Sequence, residues 1–125
     1  MRRHILIFGL DESVAADLSR SLVELRHFVV SEPLLPVEES FAAIDQSATD
    51  LLFCSADPRV YVRLLDGLRR RGIDIPVVVV SAEPDPESLL DALDAGVRDY
   101  CSAPFGPRML RSIIENAAGS LASVA

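Results

Sequence analysis

The chain has 125 residues, of which 50% are hydrophobic, and this length supports one compact core but not a second domain with its own core. The formal net charge is −7 and all twelve basic residues are arginine, which disfavours direct binding to a nucleic-acid backbone. The apolar run 77–80 is far shorter than the ~20 residues that cross a bilayer, and no hydrophobic signal segment opens the chain. We therefore expect a single cytoplasmic domain over residues 1–125, without contact to nucleic acid or membrane.

Short apolar runs alternate with helical patterns along the whole chain. The runs that predict strands are 5–8, 28–30, 51–54, 77–80 and 99–101. The segments that predict helices begin near residues 11, 41, 57, 85 and 106, the second being the weakest pattern. Because the two types alternate strictly and crossovers are right-handed, we predict a doubly wound α/β fold. It has a five-stranded parallel sheet of order 2-1-3-4-5 and five helices, as in flavodoxin.

Capping residues mark the ends of the predicted helices. Asp57-Pro58 and Asp85-Pro86 each combine a side-chain cap with a first-turn proline, Gly106-Pro107 begins the last helix, and Gly72 and Gly96 end two others. The apolar stripes that the helices are expected to bury are Val14, Leu18, Leu22 and Leu25; Val60, Leu64, Leu65 and Leu68; Leu89, Ala92 and Leu93; and Leu110, Ile113, Ile114, Ala117, Ala118 and Leu121.

Any ligand site in such a sheet is expected at the carboxyl ends of the strands. That edge comprises residues 8–11, 54–57, 81–82 and 101–105. The chain has no glycine-rich phosphate loop, no GxSxG motif and no set of His and Cys residues with metal-ligand spacing. We therefore predict no enzymatic activity, no cofactor and no metal site.

Four segments resemble the receiver domain of bacterial response regulators, the CheY-like family, over nearly the whole chain. They are ILIF at 5–8, DLLFC at 50–54, PVVVVSA at 76–82 and ALDAGVRDYCSAPF at 92–105. The resemblance makes Ser81 the small hydroxyl residue of the family, Tyr100 its switch aromatic, and Pro104 and Phe105 its Pro-Phe pair. The same ungapped register implies that Gly9 and Leu10 replace the acidic pair, Ser55 the phosphoacceptor aspartate and Ala103 the lysine.

These replacements remove the chemistry of phosphorylation. Magnesium is held by hard oxygen ligands, and neither Gly9 nor Leu10 supplies a carboxylate. The hydroxyl of Ser55 needs a base to become a nucleophile, whereas an aspartate is already ionised. No lysine exists to replace the one lost at Ala103. The resemblance therefore predicts a pseudo-receiver that signals through a protein partner and not through aspartyl phosphorylation.

Two alternatives remain open. In the first, Asp11 and Asp57 form a displaced acidic site, and Asp57 or Ser55 accepts a phosphoryl group. In the structural reading of the same residues, Asp11 and Asp57 simply cap the first and third predicted helices. In the second alternative, the emptied pocket binds a small ligand.

The resemblance also predicts an interaction surface and one local departure. The surface of the fourth helix, fifth strand and fifth helix carries output in this family, and here it is predicted to hold Leu90, Arg98, Tyr100, Arg108 and Arg111 and to form a homodimer. The domain would also fit the N-terminal part of a longer regulator. At residue 26, where the family usually has glycine, we expect the turn after the first helix to change, because arginine is strained in a left-handed cap.

Overall fold

A computed structural model describes residues 3–32, 49–81 and 85–119 of the chain. Its strands are β1 (His4–Phe8), β2 (Phe28–Glu32), β3 (Leu51–Ser55), β4 (Val77–Ser81) and β5 (Asp99–Ser102). They form one sheet in the order β2-β1-β3-β4-β5, and every neighbouring pair is parallel. This order and the parallel α/β architecture are those that the sequence predicts.

The described helices are α1 (Glu12–Glu24), α2 (Pro58–Arg70), α3 (Pro86–Ala95) and α4 (Pro107–Ile114), the last continuing as a π-helical segment, Glu115–Gly119. The predicted helix near residues 41–44 lies outside the described residues. The third, fourth and fifth predicted helices are therefore α2, α3 and α4 from here on. None of the described helices has the length and apolar character needed to span a membrane.

Two apolar layers cover the two faces of the sheet, as expected for parallel strands connected by helices. The first layer joins α1 and α4 to the sheet through Ile5, Ile7, Ala15, Leu18, Leu22, Leu51, Phe53, Val78, Val80, Cys101, Leu110, Ile113, Ile114 and Ala117. The second joins α2 and α3 to it through Leu6, Phe8, Leu52, Cys54, Tyr61, Leu64, Leu68, Val77, Val79, Ala92 and Val97. The predicted stripes omit Tyr61, which is buried, and wrongly include Leu93, which is 40% exposed.

The turn after α1 keeps a residue with left-handed backbone, so the prediction that this turn changes is wrong. Arg26 has a φ of 69°. Its backbone N–H donates to the carbonyl of Val23, and the next N–H, of His27, donates to that of Leu22. These two bonds define a Schellman motif, which satisfies the last carbonyls of the helix and holds residue 26 in the left-handed region. The hydrogen bonds therefore outweigh the steric preference of arginine.

Replacing this arginine by glycine is expected to stabilise the protein. Arg26→Gly removes the steric cost of a side chain at positive φ, about 1 kcal/mol, and keeps both Schellman bonds. The control is the reverse substitution, Gly72→Ala. Gly72 has a similar φ of 65°, and no atom lies within 4 Å of the position that a Cβ would take. Urea unfolding is expected to show a gain for the first variant and a loss of similar size for the second; a loss for both would contradict the strain at Arg26.

Candidate functional site

The strand register brings the predicted site positions to one edge of the sheet. Gly9 directly follows β1, Ser55 ends β3, Ser81 ends β4 and Ala103 directly follows β5. These four strands are consecutive in the sheet. The side chain of Leu10 is half-buried and packs against the layer beneath α1 and α4. Neutral residues therefore stand at all of these positions along one edge of the sheet.

Three neighbouring strands end in serine at this edge. Ser55 ends β3, and Ser81 of β4 lies directly opposite Ser102 of β5. The sequence analysis includes Ser102 in the predicted edge, within the range 101–105, but does not single out its hydroxyl group. Hydroxyl groups donate and accept hydrogen bonds but carry no charge at neutral pH. The rim of the sheet thus offers hydrogen-bonding groups where a cation would need carboxylates.

The hydrogen bond found for the Ser55 hydroxyl does not come from a base that could remove its proton. Its Oγ accepts a hydrogen bond from the backbone N–H of Asp57 at 3.1 Å, which is a local turn contact. The neighbouring thiol is no nucleophile either, because burial raises the pKa of Cys54 to about 12. Within the described ranges there is no group of three or more His, Cys, Asp or Glu side chains that could hold a metal ion.

Asp57 caps α2 and is held by a neighbouring arginine. Its Oδ1 accepts the backbone N–H of Arg59 at 3.0 Å, and its Oδ2 lies 2.8 Å from the Arg59 Nη2. Side-chain and backbone hydrogen bonds from Arg59 hold the pKa of this carboxyl below its usual value. The carboxylate is thus ionised, but it is occupied by a cap bond and an ion pair.

Asp11 stands at the cap position of α1 without making the cap bond. Its carboxylate accepts no backbone N–H of the helix; its Oδ2 accepts the hydroxyl of Ser13 at 2.7 Å instead. The expectation that Asp11 caps the helix through its side chain is therefore wrong. The Ser13 hydroxyl, two residues further along, competes for the same carboxylate.

The difference between the two aspartates can be measured. Asp57→Ala is expected to lower the melting temperature by roughly 2–5 °C, because the first turn of α2 loses its cap bond. Asp11→Ala is the matched control and is expected to change the melting temperature by less, because the side chain of Asp11 accepts no backbone N–H of α1. Equal losses in thermal unfolding would contradict the assignment of Asp57 as the cap.

The predicted switch residues lie on or just after β5, which is an outermost strand of the sheet. Tyr100 is on this edge strand and 39% exposed. Pro104 is exposed, whereas Phe105 is half-buried and packs against the layer beneath α1 and α4. The aromatic ring of Tyr100 therefore stands at the surface and that of Phe105 is anchored to the core. Their switching role stays a prediction.

Comparison with known proteins shows which solved structures have this fold. No protein-family model matches the chain. Solved structures that it resembles include NtrX from Brucella abortus, with a TM-score of 0.79 and 22% identity over 96% of this chain and 28% of that one. They also include a putative response regulator from Chloroflexus aurantiacus, with a TM-score of 0.80 and 24% identity over 95% of this chain and 99% of that one. The chain has the receiver fold.

A curated relative supports the same comparison over a shorter stretch. The transcriptional regulatory protein KdpE of Staphylococcus aureus is 40% identical over 45 residues, which are 36% of this chain and 20% of that protein. This chain therefore covers only about a quarter of the NtrX chain, and its match to KdpE covers a fifth of that protein. By contrast, it covers nearly all of the Chloroflexus chain. In the receiver fold, the strand ends described above lie at the edge where doubly wound sheets place their sites.

Proposed function

We propose that this chain is a receiver-like signalling domain that acts through protein contacts and without aspartyl phosphorylation. The observation that carries the proposal is the set of neutral residues at the positions where the resembled family has its charged groups. Gly9, Leu10, Ser55 and Ala103 occupy or directly follow the strand ends, and in the described residues an apolar layer packs on each face of the sheet. A packed receiver-like sheet with neutral residues at these positions is consistent with a role in binding and not in phosphoryl transfer.

Each step of phosphoryl transfer lacks its chemical group at this rim. A phosphoryl group and its magnesium ion bring charges that neighbouring carboxylates and a cation must balance. Gly9 and Leu10 present no side-chain oxygen ligand, and Gly9 has a φ of 70°, a backbone conformation that favours glycine over side-chain-bearing residues. Ala103 has only a methyl group where a cation would contact the transferred phosphoryl oxygens.

The displaced-acceptor alternative is disfavoured by the contacts of the two acids. The carboxylate of Asp57 would have to leave both the N–H and the guanidinium of Arg59 in order to attack a phosphodonor. That of Asp11 is bound to Ser13 at the start of another helix. The alternative in which the emptied rim binds a small ligand stays a prediction, because residues 82–84 of this rim lie outside the described residues.

The surface that we propose for the protein contact is the α3–β5–α4 face, defined by Leu90, Leu93, Arg98, Tyr100 and Arg108. Leu90, Leu93 and Tyr100 are 61%, 40% and 39% exposed, so three of the five large apolar side chains that are exposed in the described residues lie on α3 and β5. Grouped exposed apolar side chains mark interaction surfaces. Both arginines are exposed as well. The face thus combines apolar anchors with a cationic rim.

A second copy of the chain is the partner that fits this face best. The exposed acids Asp91 and Asp94 of α3 neighbour the apolar anchors in sequence, and Arg98 and Arg108 provide the opposite charge. In a two-fold dimer the same patch meets itself, so the acids of one copy can face the arginines of the other. We therefore propose a homodimer through the α3–β5–α4 face.

The resemblance also assigns Arg111 to this surface, but the face that we propose leaves it out. It lines a cavity together with Glu24, Arg26 and His27, which end α1 and precede β2. The exposed side of α4 that carries Arg111 therefore faces α1 and not β5.

The experiment that tests the proposed function is incubation with a small phosphodonor and Mg²⁺, followed by intact-mass analysis. The unmodified protein is expected to keep its mass. The control variant carries Gly9→Asp, Leu10→Asp, Ser55→Asp and Ala103→Lys together, and it is expected to gain one phosphoryl group. A phosphoryl group on the unmodified protein would overturn the proposal, and peptide mapping would then decide between Ser55 and Asp57.

A further inference from the structure

A second candidate site lies at the opposite end of the sheet. Arg3 directly precedes β1, residues 25–27 connect α1 to β2, and Ile114 and Glu115 lie where α4 becomes π-helical. Together these segments surround a cavity of about 450 Å³, a volume within the usual range for small-molecule sites. Its lining residues are Arg3, Glu24, Leu25, Arg26, His27, Arg111, Ile114 and Glu115.

Three arginines, Arg3, Arg26 and Arg111, line this cavity. The ion pairs found in the described ranges involve Arg20, Arg59 and Arg70, and none of them involves these three. With Glu24 and Glu115 in the same lining, three positive and two negative side chains leave a formal charge of +1 at the cavity, in a chain whose net charge is −7. Like charges repel one another, and an anion between them would relieve that repulsion.

His27 adds a neutral hydrogen-bond donor to the same wall. Its Nδ1 accepts the backbone N–H of Arg3 at 3.1 Å, which leaves the proton of the neutral ring on Nε2. Burial lowers the pKa of His27, and nearby positive charge, including that of Arg3, adds to the effect. The ring is therefore neutral at pH 7 and fixed in orientation by its backbone contact.

Backbone strain is concentrated at the cavity. Among the described residues, Arg26 is the one non-glycine residue with positive φ, at 69°. The corresponding left-handed positions after α2 and α3 are glycines, Gly72 and Gly96. A long cationic side chain thus stands where the other two helix ends have none, at an energetic cost. Strain of this kind is found preferentially at functional positions.

We propose that this cavity binds a small organic phosphate that carries hydroxyl groups. Arginine forks match the oxygens of a phosphate, and three of them surround the space. The carboxylates of Glu24 and Glu115 can accept hydrogen bonds from hydroxyl groups, and Leu25 and Ile114 supply apolar surface beneath a carbon skeleton. The inference does not depend on the proposed function, since the cavity and the strand-end rim lie at opposite ends of the sheet.

The test is a titration of the ¹⁵N-labelled full chain at constant ionic strength, followed by amide shifts. The probes are ribose 5-phosphate, inorganic phosphate and ribose. We expect saturable shifts at residues 25–27 and 111–115 with ribose 5-phosphate, at least fivefold weaker binding of inorganic phosphate, and no saturation with ribose. Equal affinities for the two phosphates would overturn the hydroxyl-bearing ligand, and shifts that do not saturate would overturn the site.

Three variants assign the binding to the cavity. Arg111→Gln is expected to weaken binding of ribose 5-phosphate at least tenfold. Arg26→Gly is expected to weaken it at least fivefold while raising the melting temperature, so that lost binding cannot be attributed to lost folding. Arg63→Gln, an exposed position on α2, is the matched control and is expected to leave the affinity unchanged. Equal weakening by all three variants would show only a general charge effect and overturn the proposal.

Discussion

Leu90→Glu is expected to weaken the proposed homodimer roughly 30-fold. Leu90 is the most exposed large apolar side chain of the α3–β5–α4 face, and its burial in a dimer would remove this surface from water in both copies. The variant places a carboxylate in that contact beside Asp91 and Asp94. The loss of an apolar anchor and the desolvation of a charge together cost about 2 kcal/mol or more, a roughly 30-fold weaker dimer.

Sedimentation over a wide concentration range measures this effect. The matched control is Val23→Glu, because Val23 is 56% exposed on α1, away from the proposed face. The control is expected to dimerise as the unmodified chain does, and both variants are expected to keep the melting temperature within a few degrees, because both positions face solvent. A monomer at every concentration of the unmodified chain, or equal weakening by Val23→Glu, would count against the proposed face.

Phe53→Ala is expected to cause the largest loss of stability. The ring of Phe53 is fully buried in the middle of β3, in the layer beneath α1 and α4. Its removal leaves a cavity that close-packed neighbours cannot fill, at a cost of about 3–5 kcal/mol. Since domains of this size are stabilised by only about 5–15 kcal/mol, the variant loses a large part of its free energy of unfolding.

The same substitution at Phe105 separates burial from side-chain size. Phe105 packs against the same layer but is only half-buried. Phe105→Ala therefore removes fewer contacts and is expected to cost about 1–2 kcal/mol. Urea unfolding measures both changes on one scale. A loss at Phe105 as large as that at Phe53 would mean that this residue supports the core and does not belong to a surface switch.

Strand positions could be predicted from the sequence because β-branched and other apolar residues fill the centre of a sheet covered on both faces. The strand ends could not, since His4, Ser55, Ser81 and Ser102 are polar. These residues extend the strands through backbone pairing with the adjacent strands of the sheet. Backbone pairing does not depend on the hydrophobicity of the side chain. The sequence therefore places Ser102 within the predicted edge, in the range 101–105, without indicating that this residue pairs with the end of β4.

Local patterns also failed where two interactions compete for one group. Asp11 and Asp57 both precede a helix, yet only Asp57 makes the cap bond, because Ser13 occupies the carboxylate of Asp11. Steric preference alone predicts a changed turn at Arg26, but two backbone hydrogen bonds hold the left-handed conformation. In each case the outcome depends on a partner that residue propensities do not include.

The three serines at the strand ends have a consequence for how the protein would carry information. In a site built from several carboxylates, the repulsion between them is relieved when a metal ion binds, so the stability of the fold depends on the state of the site. The three serines carry no charge and do not repel one another, and the nearby carboxylate of Asp57 is paired with Arg59. The protein is expected to unfold at the same temperature with and without Mg²⁺. In the proposed homodimer the paired fraction is set by the concentration of the chain, whereas a phosphorylated domain responds to a chemical change at its site.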